Sequence, residues 1–444
     1  MELSANKIDA RIAAESEVQS TAAELYAPAS TRKNFGWILA GNIVAELSLF
    51  GVLMGLAKLG SAEIQGRFLL SLGIATPVAM FSSLGLSPLF VTDSQERFSF
   101  YDYFYLRVVF CVLSVIICLS IGSYLVLRGS YDANFLVVLG LIGCFKAVDF
   151  ISDICYAVFQ KKQQMRYIGI SRAVKAAGAL TATMAILFAT GKLAAALLGW
   201  LAAYSAMMFW YDIKIAKRFY PVPVEFSLSR SLTISKQAIP LVAVAALMTL
   251  NGNISRYVIA AYCGEADVGY FGSISYGGVA MSMIFVAMGS ALLPKMVDYF
   301  KTRPLYIWRL AVKVAPMAVG LGLLAFMVSL LAGRFALRVF FSAEHAAHVK
   351  VLWILMGGSA IVGLASVMGF AGMACRAFTP SIFAWAIVGC ITLLGSIALV
   401  PKYKLVGAAI ASIMSNLAAF VLATTIVAVY TWRRHRQIAL AGQK

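Results

Sequence analysis

Long apolar runs, separated by short polar or charged breaks, occupy almost the whole chain. They fall at about 35–58, 66–90, 101–127, 134–159, 168–190, 193–217, 236–263, 268–298, 305–331, 347–374, 377–400 and 405–432. Most exceed the ~20 residues a helix needs to cross a hydrocarbon core ~30 Å thick. An open strand would leave its backbone unpaired in lipid, so the runs are read as helices. The pattern predicts an all-α polytopic membrane protein with twelve transmembrane helices. The Gly-rich runs 268–298 and 347–374 are expected to bend. The longest break, about 218–235, lies midway, carries Pro221 and Pro223, and reads as a cytoplasmic linker between two six-span lobes, 35–217 and 236–432. Residues 1–34 read as a flexible polar tail and 433–444 as a basic one.

Composition agrees. The chain is 61% hydrophobic and 13% charged, against about 45–50% apolar and about 25% charged in soluble domains. Residues 1–34 lack the apolar stretch of a cleavable secretion signal, so the first span is expected to direct insertion.

The net charge of +18 would raise nucleic acid as a partner for a soluble protein. Here the question is which side holds it. With the N-terminus inside, Arg107 falls in an inner loop, and Lys161, Lys162, Arg166, Lys214, Lys217, Arg218, Lys295, Lys301, Arg303, Arg309, Arg433, Arg434 and Arg436 share that side. The outer side keeps fewer, such as Lys58, Arg67, Arg128 and Lys192. This bias predicts both termini in the cytoplasm, contact with anionic membrane lipids and no nucleic-acid partner. The seven cysteines form no CxxC pair and read as core residues, and three histidines make a His-based metal site unexpected. His345 and His348 read as surface residues.

The halves look related. GSAEIQGRF (60–68) and CGEADVGYF (263–271) each join the first and second spans of a half. At an offset of 203, Gly66 matches Gly269, Phe68 matches Phe271, Met80 matches Met283 and Ser87 matches Ser290. Parallel repeats about a pseudo-two-fold axis along the membrane normal place a central cavity between them.

Charges inside spans mark where lipid cannot be. Each costs roughly 2.5–3.5 kcal/mol at the bilayer centre. In CFKAVDFISDICYAVFQKKQQ (144–164), Lys146, Asp149 and Asp153 lie on one helix stripe. Lys146 and Asp149 are read as facing a hydrated interior, the alternative being mutual neutralisation. Asp153 either joins them or reaches inner headgroups near Lys161. Glu46, in GNIVAELSLFG (41–51), is a candidate proton or sodium site, or a partner for Lys146 or Arg256; Asn42 lies one turn earlier. Arg256, preceded by Asn251 and Asn253, offers the fork that phosphate prefers, or a bridge to Glu46. Arg172, Lys175 and Arg376 read as positive-inside residues, with headgroup contact as the alternative. Pro77, Pro88, Pro240, Pro294 and Pro316 are candidate kinks. No Walker A loop, GxGxxG after a strand, HExxH or GxSxG is present, so no ATP hydrolysis, cofactor or enzymatic activity is expected, and transport would draw on an ion gradient, the membrane potential or the substrate's own gradient.

LAKLGSAEIQGRFLLSLGIATPVAMFSSLGL (56–86), YAVFQKKQQMRYIGISR (156–172), RYVIAAYCGEADVGYF (256–271) and GAAIASIMSN (407–416) resemble polysaccharide flippases, the O-antigen type, of the multidrug/oligosaccharidyl-lipid/polysaccharide exporter superfamily. The resemblance covers about 35–432. It implies alternating access in a bacterial inner membrane, with a polyprenyl-diphosphate-linked oligosaccharide as substrate and polymerase and glycosyltransferases as partners. It also implies cationic diphosphate contacts, for which Arg256 and Lys146 are the candidates by position. Asn251 and Asn253 stand where many relatives carry an acid, which weakens ion coupling at that helix. Twelve spans rather than fourteen argue against a peptidoglycan-precursor flippase. The alternatives are a multidrug antiporter of the same superfamily and a membrane-embedded polysaccharide transferase.

Overall fold

The fold comes from a computed structural model, which describes residues 31–93, 98–222 and 227–441. The expected N-terminal tail through residue 30, Pro223 of the linker and the side chain of Pro240 lie outside the described residues. The first half comprises α1 (Thr31–Leu59), α2 (Ala62–Ser82), α3 (Leu86–Thr92), α4 (Phe100–Leu127), α5 (Ala133–Lys161), α6 (Met165–Thr190), α7 (Leu193–Met207) and α8 (Lys214–Phe219). The second comprises α9 (Leu228–Tyr262), α10 (Glu265–Thr302), α11 (Tyr306–Phe340), α12 (Ala343–Ala347), α13 (Val349–Gly357), α14 (Ser359–Ala374) and α15 (Phe378–Ala441).

Several crossings are interrupted helices. α2 and α3 form one crossing, α7 and α8 another through a π-helical turn at Met208–Ile213, and α13 and α14 a third. α15 counts 64 residues, roughly 95 Å at ~1.5 Å per residue, far more than one crossing. Lys404, at φ 50 and ψ −129, folds it into two arms beside Pro401. Twelve crossings result among the described residues, six in each half.

Three details differ from the pattern reading. The run 268–298 lies within one unbroken helix, and two of its glycines serve close packing, Gly269 against α2 backbone and Gly272 against Leu69. The run 347–374 does break, at Gly358. Helix persists to Phe219, resumes at Leu228 and runs through Ala441, so the connection is shorter than 218–235 and residues 433–441 are helical.

The core explains the shape. Take the near end as the one holding Thr31 and Ala441. Toward the far end, buried residues of both halves form one core, with Val52, Leu56, Phe68 and Trp200 alongside Val258, Phe271, Leu337 and Leu405. Toward the near end there are two cores. One holds Phe90, Tyr103, Phe159 and Phe219 with Ile234 and Val242 of α9; the other holds Met296, Ile307, Met368 and Val427. The halves therefore share one core at the far end and hold two separate cores at the near end, with α9 packed on the first of them.

The repeat is visible in this junction. Gly66 of α2 meets the carbonyl of Glu265 in α10, and Gly269 of α10 meets the carbonyl of Ala62 in α2. These two contacts are images of each other under the 203-residue offset. Only glycine allows backbone this close. Around them, Arg67 pairs with Glu265 at 3.0 Å and Asp132 at 3.0 Å. Burial disfavours the charged form of Asp132, but the Phe135 N–H and Arg67 outweigh it, and its carboxyl titrates below the usual range.

His345, read from sequence as a surface residue, is buried at this junction. Its Nε2 meets Gln65 Oε1 at 3.0 Å and its Nδ1 meets Ser342 Oγ at 2.8 Å. The short helix α12 turns it inward between the halves, so an outer connection by sequence is a lobe contact in space.

Candidate functional site

A cavity of ≈ 260 Å³ lies inside the first lobe. α1 contributes Asn42, Glu46 and Ser48; α5 contributes Lys146, Asp149 and Tyr156; α6 contributes Arg172 and Lys175; α7 contributes Trp200 and Tyr204. Six residues singled out from sequence are thus brought together: Asn42, Glu46, Lys146, Asp149, Arg172 and Lys175. Helical spacing alone put Lys146 and Asp149 on one stripe; packing of α6 against α1, and of α7 against α5 and α6, supplies the rest.

The two candidate cations of the cavity are held differently. Lys146 Nζ stands 5.2 Å from the Phe145 ring centroid. The Arg172 guanidinium donates to Asn42 Oδ1 and lies 5.4 Å from the Tyr156 ring centroid. Among the described residues neither has a carboxylate at ion-pairing distance, so the mutual neutralisation of Lys146 and Asp149 is not formed. Phe145, Trp200 and Tyr204 make an aromatic wall, with Phe145 at 5.1 and 4.8 Å from the other two.

Glu46 connects the cavity to the lobe junction. It makes neither of the expected bridges, to Lys146 or to Arg256. The Tyr276 hydroxyl of α10 donates to its carboxylate at 2.7 Å. Phe50, one turn on, stacks on Tyr276 at 5.8 Å.

Lys175 and Arg172 are corrections to the headgroup reading. Lys175 is 1% exposed and pairs with Asp212, which is 0% exposed, while also donating to Ser152 and to Tyr156 at 3.2 Å. Arg172 is bound to Asn42. Both sit on the inward face of α6, where the helix packs on α1 and α5, and a side chain there cannot reach lipid. Asp212 was missed. It is a lone carboxylate in an apolar run, the signal that singled out Glu46, and the π turn places it opposite Lys175.

Asp153 is a second correction. It reaches neither the cavity nor Lys161. It accepts from Ser87 and pairs with Arg107 at 3.4 Å. Arg107, assigned by sequence to an inner loop, is 1% exposed and donates to the Ser83 carbonyl at 2.8 Å and Ser87 Oγ at 3.0 Å. Lys161 instead donates to the Asp93 carbonyl.

The remaining candidates lie elsewhere. Arg256 does not line the cavity; its Nη1 donates to Asn253 Oδ1 at 2.9 Å. Asn253 faces Gly73 of α2, and Tyr257 donates to the Gly73 carbonyl, so this group sits where the halves touch. Asn251 bonds Ser415 at 3.1 Å and accepts from Thr392 at 2.6 Å, a polar knot within the second lobe. Arg376 lies at the near end with Lys301, Arg433 and Arg434. No group of three or more metal-binding side chains occurs among the described residues.

The chain is 24% identical over 396 residues to the capsular polysaccharide biosynthesis protein CapF of Staphylococcus aureus, covering 88% of this chain and 97% of CapF. In fold it is similar to the lipid II flippase MurJ in an inward closed conformation, with TM-score 0.71, 12% identity, and 91% and 92% of the two chains covered. It is similarly close to an inward-facing multidrug resistance MATE family transporter of the MOP superfamily, with TM-score 0.72, 12% identity, and 88% and 95% covered. The model of the polysaccharide biosynthesis protein family matches residues 31–300, and this multi-pass, two-lobed membrane chain belongs to that family.

Proposed function

We propose that this protein moves a polyprenyl-diphosphate-linked oligosaccharide across a bacterial inner membrane by alternating access. The observation that carries the reading is the cavity where Lys146 and Arg172 stand without acidic partners beside Asn42, Trp200 and Tyr204. Cations suit a diphosphate. Amides, carboxylates and aromatic faces suit sugar hydroxyls and ring faces. At ≈ 260 Å³ the cavity is below the ~300–1,000 Å³ usual for ligand sites. It therefore takes the diphosphate and the adjoining sugar, and the rest of the glycan passes between the lobes. With both termini cytoplasmic, the near end, where the cores are separate, is the cytoplasmic end, and the substrate enters there.

Glu46 is the coupling element in this scheme. It lines the cavity and holds Tyr276 of the opposite lobe. Substrate or an ion at Glu46 competes with that hydrogen bond and so biases the lobes toward the alternative arrangement. The Arg256–Asn253 group, at the lobe contact, offers a second diphosphate contact.

The test is flipping of a fluorescent polyprenyl-diphosphate saccharide in vesicles holding purified protein. Lys146→Ala and Arg172→Ala each lower the rate at least tenfold, with unchanged abundance and melting temperature. Rates equal to the unsubstituted protein in both variants overturn the reading.

The carboxylates Glu46 and Asp149 favour one second reading, export of small cationic compounds. Efflux of a cationic dye from cells that is lost in Glu46→Gln and Asp149→Asn, alongside intact flipping in Lys146→Ala, would establish it.

A further inference from the structure

We propose that the second lobe carries a binding site for the headgroup of an acidic phospholipid, separate from the transport cavity. A concavity of ≈ 400 Å³ opens at the near end, where α10, α14 and the last arm of α15 end. Lys301, Arg376, Arg433 and Arg434 line it over a wall that includes Phe300 and Tyr430, and no acidic residue is in the lining. Among the described residues, none of the four cations has a carboxylate partner; Arg434 meets only the Gln437 amide oxygen at 3.4 Å.

One further observation points to a ligand. Arg376 itself takes the left-handed position, φ 54, of the turn that closes α14, where the Ala377 N–H reaches the Gly372 carbonyl, and this turn sets it in the lining. The level of the site is marked by an aromatic and cationic belt: Arg436 over Trp432 at 4.1 Å, Arg309 over Tyr306 at 4.5 Å and Lys295 over Tyr299 at 5.7 Å. Such belts sit at the membrane–water interface. Basic pockets between helices at that depth take phosphate-bearing headgroups.

Cations near helix C-termini also offset the helix dipole. That role needs one cation on each helix and does not require four from three chain segments to converge on one concavity. The shared ligand chemistry is a phosphate group, and the depth assigns it to lipid. Four cations match the two phosphodiesters of a diphosphatidylglycerol. The site stands whether or not the chain carries the substrate proposed above.

The experiment measures the melting temperature of the purified full chain in neutral detergent, followed by tryptophan fluorescence. Diphosphatidylglycerol raises it, while phosphatidylcholine and sodium pyrophosphate at equal phosphate concentration do not. Arg433→Gln with Arg434→Gln weakens the apparent lipid affinity about thirtyfold, from roughly fivefold per cation. Arg334→Gln with Arg338→Gln, the same charge removed elsewhere, leaves it unchanged. Arg376→Asn, which keeps the left-handed backbone, weakens binding about fivefold and serves if the double variant fails to fold. An equal response to phosphatidylcholine, or equal loss in the Arg334/Arg338 control, overturns the site. An equal response to pyrophosphate overturns its assignment to lipid.

Discussion

Lys175 and Asp212 show how far a single side chain can be judged before its neighbours are known. Both are charged residues at or within apolar runs, and both are visible as such. Their pairing depends on α6 facing the π turn before α8. A buried pair is strongly destabilised when one partner is removed, because the other charge is left without compensation. Asp212→Ala is therefore expected to destabilise the protein by about 3–5 kcal/mol, and Lys175→Met with Asp212→Leu to recover most of that loss. Unfolding curves of the two variants in detergent check the order. A double variant no more stable than Asp212→Ala would mean the pair has a role beyond mutual compensation.

Among the elements, the break in the second crossing is the instructive one. Pro77 and Pro88 were both legible as kink candidates. Pro77 sits inside an unbroken α2, and the chain turns instead at Ser83–Gly85, where Leu84 and Gly85 take φ 48 and 55. Pro88 falls in the first turn of α3, where its missing N–H costs nothing. The Ser83 carbonyl, which accepts the Leu86 N–H across the turn, also accepts from Arg107 of α4, which binds Ser87 and Asp153 as well. A guanidinium can serve three acceptors at once and an ammonium cannot match that geometry. Arg107→Lys is expected to lower the melting temperature by several degrees, and Arg107→Leu with Asp153→Leu by less than Arg107→Leu alone. Melting curves of the three variants decide it. Sequence placed Arg107 in a loop because a cation near a span's end is usually there; only the fold of α3 back over α4 buries it.

The lobes are joined at the far end, and in the proposed alternating access His345 is a titratable group of that closure. Burial holds its imidazole down to about 4, with Glu344 opposing and His348 reinforcing. Gln65 of α2, Tyr270 of α10 and Phe341 at the end of α11 face it. Separation of the far ends exposes the ring, whose ordinary value is 6.5. The closed form thus binds fewer protons between pH 6.5 and 4, so acid favours opening there and has no effect above that window. Spin labels at Gly191 and Lys402, on a cysteine-free background, are expected to show a growing population of longer distances as pH falls from 6.5 to 4. His345→Gln is expected to remove that response, and a response that survives it would rule out the histidine.

The linear order of residues was enough for the membrane class, the twelve crossings and the two halves, with Gly66 and Gly269 as matching positions of a repeat; that the halves touch at these glycines came from the fold. The class, the crossings and the halves follow from local length, hydropathy and repetition, which survive in one dimension. It was also enough to single out Lys146, Glu46 and Asp149, because a charge in an apolar run costs free energy wherever the run is placed. It could not say which of these share a wall. That required the packing of α6 on α1 and of α7 on α5 and α6, which gathered Arg172 and Lys175 into the cavity, the packing of α4 on α5, which gave Asp153 to Arg107, and that of α9 on α2, which kept Arg256 at the lobe contact. Helix orientation about its own axis is set by packing against neighbours distant in the chain, and no periodicity of one helix encodes the partner it meets.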